Sequence, residues 1–267
     1  MRKVLLLLFM VWFISGCATA PISQSDFGEK TKLLNEKDEI QFGNYVDAYI
    51  LGEQTLLENE QITKAVSDIG NKIVAVSYRP NLKFTFRVLN EHQVNAFAGP
   101  GGYVYVTRGL LDHLKSKDEL AAVLAHEVSH VCARHQVKAL YNAQTAQTFM
   151  ALGQILAIAA GTYTGSSTVA DLGNTVAQMA TIMVYQGYSR SFEAEADKLG
   201  DFYMYESGYN PEAMADVFDM MLALAKEKGE KKDLGIFATH PSLEWRAKRI
   251  REIAPQIKKG VKYEEIE

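Results

Sequence analysis

His126, Glu127 and His130 carry an H-E-x-x-H pattern, His126-Glu127-Val128-Ser129-His130. Two imidazoles and an adjacent carboxylate are the donors and the base that metal-assisted hydrolysis needs. Around them Leu120, Val123, Leu124, Val128 and Val131 recur at spacings of three and four, so the stretch from Asp118 to Gln136 reads as a helix. Residues four apart share a helix face, so both imidazoles can reach one ion. Glu127, offset by one position, can reach a water on that ion. Zinc in a hydrolase takes three protein ligands and keeps one position for water. The bland alternative is a chance match in a surface helix. Ala121, Ala122 and Ala125 argue for a packed helix instead, and burying two imidazoles and a carboxylate needs a compensating partner.

A third ligand must come from elsewhere. Tyr188 to Asp197 reads as helical, with Phe192, Ala196, Leu199 and Tyr203 on one side. Glu193 and Asp197 share a face, so one can bind the metal while the other holds a ligand histidine by its second ring nitrogen. Spacing does not assign the two roles, and Glu195 is a third contender.

HEVSH followed by E-x-x-A-D, Glu193 to Asp197, resembles the HtpX-like and CAAX-prenyl-protease-like zinc metallopeptidases, in particular small periplasmic lipoprotein members. Two further motifs agree. Asn95 to Ala98 with Pro100 to Leu111 resembles the family's strands before the active helix. Thr239-His240-Pro241 and Arg246 resemble its late T-H-P-x-x-x-x-R element. The resemblance spans about residues 35 to 255. Gly99 is a small departure, since a bulkier residue often precedes the Pro-Gly-Gly.

The resemblance implies an α+β fold: a mainly helical zincin-like domain with a small β-sheet beside the active-site helix. It implies one Zn2+ per chain held by His126, His130 and Glu193, with Glu127 as the base and Asp197 orienting a ligand histidine. His240 would bond the oxyanion or fill the open zinc position. Arg246 would pair with Asp197 or Glu193 or meet substrate, and Asn95 and Ala96 would be substrate contacts. The implied activity is zinc-dependent cleavage of misfolded or unassembled envelope proteins, with envelope assembly machinery as a possible partner. The rival is a lipoprotein chaperone that binds in the groove without cutting. An intact Glu127 favours the enzyme, because a binding module has no use for that base.

The chain has 267 residues, 48% hydrophobic and 22% charged, with a formal charge of -4. That is ordinary globular composition without a basic stripe, so nucleic acid is not an expected partner. Arg2 and Lys3 precede an apolar run from Val4 to Ile14, then Ser15-Gly16-Cys17. Residues 1–16 read as a secretory signal. The ending resembles a bacterial lipobox, which makes Cys17 the lipidated residue, residues 17–35 an anchor and tether, and the expected address an outer membrane lipoprotein facing the periplasm. Cys132 then has no disulfide partner and reads as core packing.

The peptidase domain is expected over residues 36–257. Helices are expected at 36–50, 60–77, 211–226 and 242–253, and strands at 83–89, 95–98 and 103–107. An exposed sheet edge can take an extended peptide as one more strand. Residues 141–186 read as a helical hairpin folded over the site or lying on the bilayer, or as buried core helices. His92 and His113 read as solvent or packing residues, and His135 as a surface residue off the ligand face. Residues 258–267 read as a mobile charged tail.

Overall fold

A computed structural model describes residues 34–142, 187–227 and 240–266. The expected signal, Cys17, most of the tether, almost all of the hairpin and Thr239 lie outside the described residues.

Asn35 and Asn59 start the first two helices. Their side-chain oxygens accept from the backbone N–H of Asp38 and Ile62, satisfying donors left open at a helix start. α1 spans Glu36–Glu53 and α2 spans Glu60–Val74. The spacing of Val66, Ile69 and Ile73 gives α2 one apolar face, which packs on β1 and α4. α1 packs on the Pro100–Gly102 turn. There Gly101 has φ 74°, and a side chain would strike the α1 backbone, with its Cβ 2.8 Å from the Ile40 Cα.

β1 (Thr85–Leu89), β2 (Ala96–Ala98) and β3 (Tyr103–Thr107) form a sheet in the order β1-β3-β2. β1 runs parallel to β3, with Phe86 opposite Val104, and β2 runs antiparallel, with Phe97 opposite Tyr105. Among the described residues β2 is therefore an edge strand. The Asn95 carbonyl and the Gly99 N–H bond across to β3, so by alternation the polar groups of Ala96 and Ala98 point away from β3, and both residues are buried.

Short α3 (Arg108–Leu111) leads to α4 (Lys117–Cys132). Ser116 caps α4, its hydroxyl accepting from the Glu119 N–H, while the Glu119 carboxylate accepts from the Lys115 N–H. Every residue of α4 from Ala121 to Cys132 is buried, so this is a central helix covered on all sides. α5 (His135–Asn142), α6 (Arg190–Glu206), α7 (Ala213–Glu227) and α8 (Leu243–Lys258) follow. α6, α7, α2 and the sheet pack around α4, and α8 packs on α6 and α7. The architecture is mainly helical with one small mixed sheet beside the α4 helix, as the resemblance implies.

The last residues depart from the expectation of a mobile tail. α8 continues to Lys258, the chain reverses at Gly260 (φ 81°), and Tyr263–Glu265 forms a 3-10 turn. Tyr263 and Ile266 are 4% and 3% exposed and join the main core. Their apolar area outweighs the charges around them, which stay in water. No described helix is long and apolar enough to cross a membrane.

Candidate metal centre

α4 brings His126, Glu127 and His130 to the centre of the fold, and α6 crosses it with Glu193. Gly200 permits that crossing: a Cβ there would lie 3.2 Å from the Ala125 carbonyl carbon and the His126 nitrogen. His240 arrives from the turn before α8. Its Nδ1 lies 3.2 Å from His126 Nε2 and 3.0 Å from Glu193 Oε1. The Nε2 atoms of His126 and His130 are 3.0 Å apart. Glu193 Oε2 is 3.6 Å from His126 Nε2, and Oε1 is 3.5 Å from His130 Nε2.

These four buried side chains converge, with their ligand atoms within 4.8 Å of one another. Imidazole nitrogens bonded tetrahedrally to zinc at about 2.0–2.1 Å would stand about 3.3 Å apart. The observed separations match that scale, and neutral nitrogens with one carboxylate are zinc's preferred donors. The residues fit the ion.

A second ring of contacts fixes the donors. Asp197 Oδ1 lies 3.0 Å from His126 Nδ1, which leaves the His126 Nε2 lone pair facing the centre. Arg246 grips Asp197 and also reaches Glu193, with Nη1 2.5 Å from Oε2. Phe218 covers the guanidinium, whose Cζ lies 4.3 Å from the ring centre. Tyr188 stacks on His130, ring centres 4.1 Å apart. The sequence names Tyr188 without giving it a role, because a single aromatic before a helix carries no pattern.

Burial pushes the Glu127 carboxyl up, with His240 and His126 pulling against it. That shift suits a proton acceptor that must later release its proton. Burial would also raise Asp197 and Glu193. For Asp197 the Arg246 guanidinium wins and holds the carboxyl well below the usual range; for Glu193, His240 and Arg246 win. Burial keeps His130 well below its ordinary value and therefore neutral. His240 goes the other way: burial lowers it, but Glu193 and Glu127 outweigh burial. Its Nε2 is 3.5 Å from Glu127 Oε1.

The remaining expected residues fall as follows. Arg246, expected either at the carboxylates or at substrate, is 1% exposed with its fork on Asp197. Asn95 is 2% exposed, and its side-chain oxygen has no partner among the described residues. Ala96 lies in the edge strand, and the neighbouring Ala98 carbonyl accepts from the Gln136 amide at 3.2 Å. His92 is exposed beside Arg108, and Cys132 is buried without a disulfide. His135 overturns its expectation as a surface residue. It is fully buried, with Nδ1 2.8 Å from His130 Nδ1. α4 ends at Cys132, and Arg134 takes a left-handed conformation (φ 55°), so His135 is redirected toward His130. An apolar recess lined by Ala122, Val123, Met214, Val217, Phe218 and Met221 opens beside Glu127.

The model of Peptidase family M48 matches residues 60–254. The beta-barrel assembly-enhancing protease of Escherichia coli is 30% identical over 223 residues, which is 82% of this chain and 44% of that protein. Its putative counterpart in Vibrio cholerae is 31% identical over 242 residues, covering 88% of this chain and 48% of the relative. The mitochondrial metalloendopeptidase OMA1 of Schizosaccharomyces pombe is 32% identical over 208 residues, covering 77% and 57%. The chain thus spans about half the length of these relatives. With the matched region holding the convergent His126, His130 and Glu193 and most of the described fold, this chain belongs to peptidase family M48.

Proposed function

We propose that this chain is a zinc-dependent endopeptidase that cleaves unfolded or misassembled proteins of the bacterial cell envelope, held at the outer membrane by lipid on Cys17. One observation carries the catalytic reading: His126, His130 and Glu193 converge while Glu127, one residue along α4, is buried beside them. When bound, zinc supplies polarisation of the scissile carbonyl and acidity to water in its open position. Glu127 accepts the proton of the attacking water and passes it to the leaving amine. Asp197 holds His126 in the tautomer that presents Nε2, and Arg246 holds Asp197. The signal at residues 1–16, the tether at 17–35 and the periplasmic address come from the sequence. The envelope substrate class is supported by the printed names of the bacterial relatives.

A second reading has its own observation. His240 Nδ1 stands among the other three donors, and four protein ligands close a zinc site. A closed centre would suit a chaperone that binds without cutting. The two separate on cleavage of an unfolded protein such as casein by the zinc-loaded full chain in detergent, with Glu127→Gln alongside. The peptidase reading expects cleavage by the natural chain and loss of at least about 100-fold in the variant, with zinc still bound. Zinc bound by both and cleavage by neither would establish the closed centre instead.

A further inference from the structure

The two metal-binding imidazoles of α4 are backed differently. His126 turns its second nitrogen to a carboxylate, Asp197. His130 turns its own to another imidazole, His135 Nδ1, at 2.8 Å. His135 Nε2 in turn lies 3.1 Å from Glu195 Oε2. Phe192 stacks flat on the His135 ring, centres 4.3 Å apart and planes at 10°, so the ring has no freedom to turn away. Tyr188 covers His130 in the same manner.

Proton counting along this row leaves one arrangement. For His130 to offer the Nε2 lone pair to an ion, its proton must sit on Nδ1. His135 Nδ1 must then be the acceptor and carry no proton. The His135 proton therefore sits on Nε2, where the Glu195 carboxylate accepts it. Each group fixes the tautomer of the next.

We infer that His135 and Glu195 are positioning residues for His130: a carboxylate–imidazole pair that sets its tautomer and ring orientation for the metal. Neither touches the reacting atoms. α6 thus serves the centre from two sides, with Glu193 toward the ion and Glu195 behind the histidine that Glu193 faces. The inference rests on the reading of His126, His130 and Glu193 as zinc ligands.

The test uses the zinc-loaded full chain labelled with 15N-histidine. The expected result is a through-hydrogen-bond coupling between the Nδ1 atoms of His130 and His135, with the proton on His130. Affinity is then read by competition with a chelator. His135→Phe keeps a flat ring against Phe192 but removes the acceptor, and should weaken zinc binding about 10–100-fold. Glu195→Gln can still accept and should recover most of the affinity that Glu195→Leu loses. A natural chain that binds zinc with no coupling and with His130 Nδ1 unprotonated overturns the inference, as does a folded His135→Phe of unchanged affinity. Failure of the natural chain to bind zinc would instead remove the ligand assignment beneath it.

Discussion

Arg246 on α8 grips Asp197 on α6 through two hydrogen bonds, Nε to Oδ2 at 2.8 Å and Nη2 to Oδ1 at 2.6 Å. The planar fork matches the carboxylate edge to edge, a geometry lysine cannot copy. Arg246→Ala strands two buried carboxylates, Asp197 and Glu193, and should cost about 3–5 kcal/mol in urea unfolding. Arg246→Lys keeps the charge and should lose less stability. It should still lower zinc affinity about 10–100-fold in chelator competition, because Asp197 is no longer aimed at His126.

His240 stands where a fourth ligand would. In His240→Ala the other three donors remain, so zinc should stay bound about 10-fold more weakly, with cleavage of an unfolded protein faster than in the natural chain. A fall in cleavage of about 100-fold or more would place His240 at the oxyanion.

Gly200 sets the approach of α6 to α4. Gly200→Ala gains about 1 kcal/mol in helix propensity and meets an overpacking cost of about 1–3 kcal/mol. The nearest atom, Met214 Cε at 2.9 Å, can move, but the Ala125 and His126 backbone atoms at 3.2 Å cannot move freely. Overpacking should win. Thermal unfolding should show a net loss, with weaker zinc binding as Glu193 moves away from the histidines.

Asp201 sits one turn beyond Asp197, fully buried, with neither carboxyl oxygen partnered among the described residues. Burial, with Asp197 adding to it, pushes this carboxyl well above its ordinary value. The folded state therefore holds the proton more tightly than the unfolded state. The associated stability is fully present below the unfolded value, about pH 4, and is lost as pH rises toward the folded one. Asp201→Asn should remove that slope and stabilise the protein by about 1–3 kcal/mol at pH 8. Urea unfolding of both proteins at pH 4 and pH 8 checks this. Parallel pH profiles would show that Asp201 has a partner after all.

The metal-site candidates were legible because their spacing follows from one continuous helix. His126 and His130 share a face of α4, and Glu193 with Asp197 share a face of α6, so periodicity alone brings each pair together. His135 was misread by the same rule. Five positions past His130 lies off the face of an unbroken helix, but the helix breaks at Ala133 and Arg134, and no residue type there announces a left-handed turn. The strands were legible from Tyr103-Val104-Tyr105-Val106, whereas their order was not, since pairing depends on contacts distant in sequence. In the last segment, Tyr263 and Ile266 were visible as apolar residues three apart, but the surrounding lysines and glutamates obscured them.

Arg134, which turns the chain between α4 and α5, also donates to the carbonyl of Leu34, the first described residue. It lies 2.9 Å from Glu39 on α1, whose carboxylate Arg79 also holds. The start of the described chain is thus held beside the turn that delivers His135 to His130. Loss of the Arg134 side chain would therefore release the start of α1 and the turn ahead of His135 together.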